Sequence, residues 1–292
     1  MQELKGTMTA IVTPFRNGKF DSTKFAELVN CQVEAGIDGI VPAGTTGESA
    51  TLDHKEHHEV IKVCVEVVKG RTKVFAGTGS NSTDEALSLT KYAEEAGCDG
   101  ALMVSPYYNK PSNEGIYQHY KAVAESVGIP IILYSIPGRT GKEIAVETLK
   151  KLSDIKNIVA IKEAGGSVDR VSDIISSCKM TVLSGDDSLT LPFMSVGAKG
   201  VISVIANLVP KDVKAMVDAV FANKWDEARK LHYKMLPFVR ECFREGNPSG
   251  IKCAMKLAKI ISDEMRLPLV PYLPENEAKM KKVMEQYGIL RS

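Results

Sequence analysis

The feature that most narrows the folds open to this chain is a repeated unit: a short apolar run, a loop of small or polar residues, then an amphipathic segment. The runs are Met8 to Val12, Gly39 to Ala43, Lys73 to Ala76, Ala101 to Ser105, Ile131 to Tyr134, Ile158 to Lys162, Thr181 to Ser184 and Val201 to Val204. Between them lie segments with helical spacing at Asp21 to Ala35, His54 to Lys69, Ser82 to Ala96, Asn113 to Ser126, Val146 to Leu152, Ser167 to Ser177 and Asp187 to Val196. Runs this short and this rich in β-branched residues read as strands buried on both faces. Strand and helix alternating at a period of roughly 25 to 30 residues predict an α/β fold, a closed (β/α)8 TIM barrel rather than an open sheet. AGIDG at 35–39, AGCDG at 96–100 and GAKG at 197–200 support this, each reading as a helix end closed by Gly and followed directly by a strand.

Strand signals stop after the eighth run. Pro210 opens a helix with Lys211 to Ala222, and Asp226 to Glu245, Pro248 to Ser262 and Glu275 to Tyr287 read as further helices. The expected organisation is a barrel carrying the active site over residues 1–224 and a small helical appendage over 225–292. A net charge of +1 leaves no electrostatic footprint for nucleic acid or an anionic membrane. Met1 to Val12 lacks a charged segment followed by a long apolar one, and no stretch reaches about 18 uninterrupted apolar residues, so a cytoplasmic protein is expected. Cys31, Cys64, Cys98, Cys178, Cys242 and Cys253 stand singly, which favours reduced thiols over disulfides or a zinc site.

In such a barrel the chemistry sits where the strands end. The sixth run ends in Lys162, an ammonium set against apolar walls. Desolvation disfavours its charged form, and a neutral lysine can attack a ketone to give a Schiff base. The competing reading is that Lys162 snorkels out to pair with Glu163. The second run ends in Ala43-Gly44-Thr45-Thr46-Gly47-Glu48, either a carboxylate or hydroxyl-relay site or only a tight turn capping a helix. The fifth ends in Tyr134-Ser135-Ile136-Pro137-Gly138-Arg139, where a phenol can pass protons and a guanidinium can grip a carboxylate, unless the two are a packed aromatic and a surface ion pair. Tyr107 and Tyr108, on a Pro-bounded loop after the fourth run, suit a subunit interface. Asp186 and Asp187, after the seventh, would repel the phosphate that many barrels hold there, which argues against a phosphorylated substrate or pyridoxal phosphate; no cofactor is expected. His54, His57 and His58 have a spacing that could ligate a metal, but they fit a solvated helix start equally well, and no metal is expected.

GTTGESATL, SPYYNKPS, YSIPGRTG, AIKEA and LSGDD, in this order and spacing, resemble the pyruvate-dependent class I aldolase and lyase family over nearly the whole chain. The resemblance implies that Lys162 forms a Schiff base with pyruvate. It implies that Tyr134 shuttles protons, linked to solvent by Thr46 and by Tyr108 from a neighbouring subunit. Thr45 and Thr46 would hold the pyruvate carboxylate, Arg139 that of a second substrate, L-aspartate 4-semialdehyde, and Gly185 and Ile202 would line the pocket. A site for L-lysine as feedback inhibitor maps to Ser49, Ala50, His54, His57, Asn81, Glu85 and Tyr107, and a homotetramer built as a dimer of dimers is implied. Ser135 departs from the family's usual Asn; strand alternation turns it away from the iminium, so adjusted packing rather than lost activity is expected. A sister lyase acting on N-acetylneuraminate or a keto-deoxy sugar would not need Arg139, and a non-catalytic keto-acid binder would form no adduct.

Overall fold

The computed structural model describes residues 4–290; the ends of the two expected regions, 1–3 and 291–292, lie outside the described residues. Eight parallel strands close into a barrel: Gly6–Ala10, Gly39–Val41, Lys73–Gly77, Gly100–Val104, Ile131–Ser135, Ile158–Glu163, Thr181–Ser184 and Gly200–Ser203. Each pairs with its neighbours in chain order, and the first pairs with both the second and the eighth. Period-2 alternation then divides every strand. Met8, Ala10, Val41, Phe75, Leu102, Ile132, Ala160, Leu183 and Ile202 pack together in the bore, while Ile131, Leu133, Ile161 and Val182 join the larger core under the helices.

The first strand is Gly6–Ala10 rather than Met8 to Val12; the Ile11 amide still bonds the Val41 carbonyl of the second strand at 3.1 Å, but the chain then leaves the sheet. Val12 gives its amide to the Asn207 side chain at 3.0 Å. A short hairpin absent from the sequence reading pairs Phe15–Arg16 with Lys19–Phe20 across Asn17-Gly18, both at positive φ. The helical layer comprises α1 (Ser22–Glu34), α2 (His54–Val68), α3 (Thr83–Glu95), α4 (Asn113–Ala124), α5 (Pro137–Thr140), α6 (Val146–Leu152), α7 (Val168–Ser177), α8 (Thr190–Ser195) and α9 (Pro210–Phe221). Asp21, Asp53, Ser82, Ser112 and Ser167 cap five of these through their side chains. The one-turn α5, read from sequence as a loop, starts at Pro137 and aims Arg139 at the barrel mouth.

Three C-terminal helices follow, α10 (Trp225–Cys242), α11 (Ser249–Leu257) and α12 (Pro274–Tyr287). They do not stand apart from the barrel. Lys252 of α11, with no exposed surface, forms an ion pair with Glu48 of the second-strand loop. Its ammonium, 4.5 Å from the ring centre, and the Arg266 guanidinium, 4.4 Å from it, both lie over the Phe15 ring. Arg266 also binds both carboxylate oxygens of Glu56 at 2.6 Å. These contacts place the segment around Asn247 over the mouth of the barrel.

Candidate active site

At the C-terminal ends of the strands lies a cavity of about 750 Å³. Tyr134 and Lys162 are directly paired across the fifth and sixth strands, so both point into the bore, and the Lys162 ammonium lies 4.1 Å from the centre of the Tyr134 ring. Lys162 is 5% exposed, and burial pulls its pKa down to about 8. Asp187 opposes that fall and Arg139 adds to it. Burial also pushes the Tyr134 phenol upward, so Tyr134 rests protonated.

The alternation that turns Lys162 inward turns Glu163 outward. Glu163 accepts from the Gly165 amide at 2.6 Å and from Arg170 Nε at 3.1 Å, on the far side of the strand. An ion pair between Lys162 and Glu163 is thereby excluded. Ser135, paired with Glu163, faces the same way and lies 3.5 Å from Arg170 Nη2 and 3.4 Å from the Ile144 amide. Ser135, where the resemblance leads one to expect Asn, therefore lies behind the Tyr134–Lys162 rung.

Thr45, Thr46, Arg139 and Gly185 line the same cavity. A Cβ at Gly185 would stand 3.0 Å from Lys162 Cε, so the absent side chain leaves the lysine its space. Ile202 is 1% exposed and sits one layer down in the bore; Val204 takes the lining position in its place. Tyr108 points away from its own cavity, 90% exposed, on backbone with φ +70°. Asp187 is buried and accepts from the amides of Val204 and Ile205 at 2.9 and 3.2 Å as well as from the Ser203 hydroxyl. Its carboxylate fills the anion position beside the eighth strand that phosphate-binding barrels keep free.

The cavity runs on past Tyr134 and Lys162. Ser49, Ala50, His54, His57, Glu85 and Tyr107 line its outer part. Asn81 is not in the lining, but its carbonyl accepts from the Asn109 side chain at 2.9 Å, on the loop that carries Tyr107. His54 Nε2 lies 2.8 Å from Glu85, and the Ser80 hydroxyl bonds the other Glu85 oxygen; these contacts hold the Glu85 carboxyl below its usual range. His57 donates to the Gly77 carbonyl at 2.8 Å, and burial lowers its pKa to about 4. His58 stacks on Tyr92. The three histidines thus face three different partners rather than one ion.

Sequence reasoning missed the contribution from beyond the barrel. Asn247 Nδ2 donates to Thr46 Oγ1 at 3.0 Å, and the Asn247 carbonyl accepts from Arg139 Nη2 at 3.1 Å. These partners are 201 and 108 residues apart, and no local signal announces them.

Residues 3–287 match the model of the dihydrodipicolinate synthetase family. A 4-hydroxy-tetrahydrodipicolinate synthase of Geotalea uraniireducens (strain Rf4) is 54% identical over 288 residues, covering 98% of this chain and 99% of that one. The crystal structure of the chloride-inhibited dihydrodipicolinate synthase from Acinetobacter baumannii complexed with pyruvate superposes with a TM-score of 0.96 at 42% identity, over 98% of this chain and 99% of that one. The enzyme from Cyanidioschyzon merolae with lysine bound gives 0.95 at 38% identity, with the same coverage. By sequence along nearly its whole length and by the closed barrel it forms, the chain belongs to the dihydrodipicolinate synthetase family.

Proposed function

We propose that the chain condenses pyruvate with L-aspartate 4-semialdehyde through a Schiff base on Lys162, giving 4-hydroxy-tetrahydrodipicolinate, the first committed step of lysine and diaminopimelate biosynthesis. The observation that carries this is the Lys162 amine, buried, partly neutral at physiological pH and beside the Tyr134 phenol. Its lone pair attacks C2 of pyruvate, water leaves, and the iminium acidifies the methyl protons. Loss of one gives an enamine, which attacks the aldehyde carbon of the second substrate. That substrate's own amine then attacks C2 and displaces Lys162.

Tyr134 passes the protons of these steps, and Tyr108 connects it to solvent. Thr45 and Thr46 take the pyruvate carboxylate, and Arg139 that of the semialdehyde, with Gly185 and the bore residue Ile202 shaping the floor. Tyr108 serves the site of a neighbouring copy, which its exposure supports, so at least a dimer is required and a homotetramer built as a dimer of dimers is our reading. Among the described residues no helix is long and apolar enough to cross a membrane, and we place the enzyme in the cytoplasm.

L-lysine inhibits in this reading, by binding Ser49, Ala50, His54, His57, Asn81, Glu85 and Tyr107. The ionised Glu85 suits an ammonium group. Borohydride reduction in the presence of pyruvate, followed by mass spectrometry, tests the reaction: one pyruvate-sized adduct on Lys162 is expected, absent in Lys162→Ala, and an unmodified wild type overturns it. Lysine titrated into the steady-state assay tests the regulation, and a flat response through the millimolar range rejects it.

A further inference from the structure

The Thr46 hydroxyl has one proton to give, and its direction is set by Asn247. Asn247 is 8% exposed, and its Nδ2 donates to Thr46 Oγ1 at 3.0 Å. Its Oδ1 is buried and has no hydrogen-bond partner among the described residues, so Thr46 is the only group the amide engages. An asparagine placed only to tie a loop together would have both ends bonded. A hydroxyl has one donor and two acceptor sites, and with one acceptor site occupied by Asn247 its proton points away from the amide, into the cavity that both residues line. A proton held in one direction suits a permanent acceptor. A relay needs a hydroxyl free to give and take by turns.

We infer that Asn247 is a positioning residue that commits Thr46 to donating to the carboxylate of pyruvate. The inference rests on the reading that the site takes pyruvate. The Asn247 carbonyl, which accepts from Arg139 at 3.1 Å, survives replacement of the side chain, so the grip on the second substrate is separable from the Thr46 effect.

Steady-state kinetics of the full-length oligomer test this. Asn247→Ala raises KM for pyruvate about tenfold and moves KM for the semialdehyde less than about twofold. Asn247→Asp has nearly the same shape but replaces the donor with a charged acceptor, which draws the Thr46 proton out of the cavity. It raises the pyruvate KM further than Asn247→Ala does, whereas a purely structural role makes the isosteric variant the milder one. In a Thr46→Val background, Asn247→Ala adds no further increase. An unchanged pyruvate KM, a fall in kcat alone, or full additivity with Thr46→Val overturns the inference. Should Asn247→Ala fail to fold, the Asp variant and the same cycle with Asn247→Ser decide it. Failure here with a normal Lys162 adduct in wild type leaves the reaction intact, whereas a missing adduct removes the reaction itself.

Discussion

Two lysines are buried at the mouth of this barrel, and they differ in what surrounds the ammonium. Lys162 has an aromatic ring beside it and, among the described residues, no hydrogen-bonded carboxylate. Lys252 has Glu48 in an ion pair, the Glu264 carbonyl at 2.9 Å and the Phe15 ring at 4.5 Å. Burial lowers both pKa values, but at Lys252 the Glu48 carboxylate opposes the fall directly. In the proposed reaction the first environment makes a nucleophile, and the second makes a fastener. Burial alone does not mark a reactive lysine; the lack of a carboxylate in direct contact does.

Removing each amine breaks the comparison most sharply, because the two changes act on stability with opposite sign. Lys252→Met leaves Glu48 as an unpaired buried carboxylate, which costs about 3–5 kcal/mol. Lys162→Met relieves a penalty. The pKa of Lys162 is about 8 in the fold against 10.5 when free, so below pH 8 the folded state bears the full cost of a desolvated charge. That cost fades as pH rises from about 8 through the free value. At pH 7 the substitution therefore stabilises by about 3 kcal/mol, at the rate of about 1.4 kcal/mol per pKa unit, while ending catalysis. Denaturant titration of both variants at pH 7 checks the pair, and two shifts of the same sign would refute the distinction drawn between them.

The same difference governs pH dependence. With a pKa of about 8, the fraction of neutral Lys162 rises about tenfold per pH unit below that value and levels off above it. The initial rate of pyruvate adduct formation, followed by borohydride trapping between pH 6 and 9, is expected to trace that curve. A rate still climbing tenfold per unit from pH 8 to 9 would mean an amine with ordinary basicity and a wetter site than the one described.

What the sequence could disclose follows from how far apart the interacting residues lie. Period and alternation are local properties, and they suffice to place Lys162 and Tyr134 at strand ends, Arg139 just beyond one, and Ser135 on the opposite face. The Asn17-Gly18 turn was also legible, as a pair that favours a hairpin, and went unread. Depth in the bore was not: Ile202 is buried within the eighth strand, while Val204, just past that strand's end, meets the cavity. Least visible were Asn247 and Lys252, which reach the second-strand loop across more than 200 residues of chain. A buried ion pair or a directed hydroxyl is a property of packing, and neither partner carries a mark of it in its own neighbourhood.

The smallest effect is expected at Ser135, where the resemblance leads one to expect Asn. Ser135 is fully buried, yet its contacts are the long ones to Arg170 at 3.5 Å and to the Ile144 amide at 3.4 Å, both behind the strand. Arg170 is fixed independently by Glu163 at 3.1 Å and by the Ile144 carbonyl at 2.6 Å, so it does not depend on the serine for its position. Ser135→Asn introduces a larger amide that must displace those neighbours slightly, in a core where overpacking costs about 1–3 kcal/mol. Tyr134 and Lys162 stay on their rung because the ladder between the fifth and sixth strands, from Leu133 and Ile161 through Ser135 and Glu163, sets it. The expected result is a modest loss of thermal stability with kcat and both KM values within about threefold of wild type. A fall in kcat of a hundredfold or more would show that the outward face transmits position to the lysine after all, and that the contrast between reactive and fastening environments extends through the strand rather than ending at it.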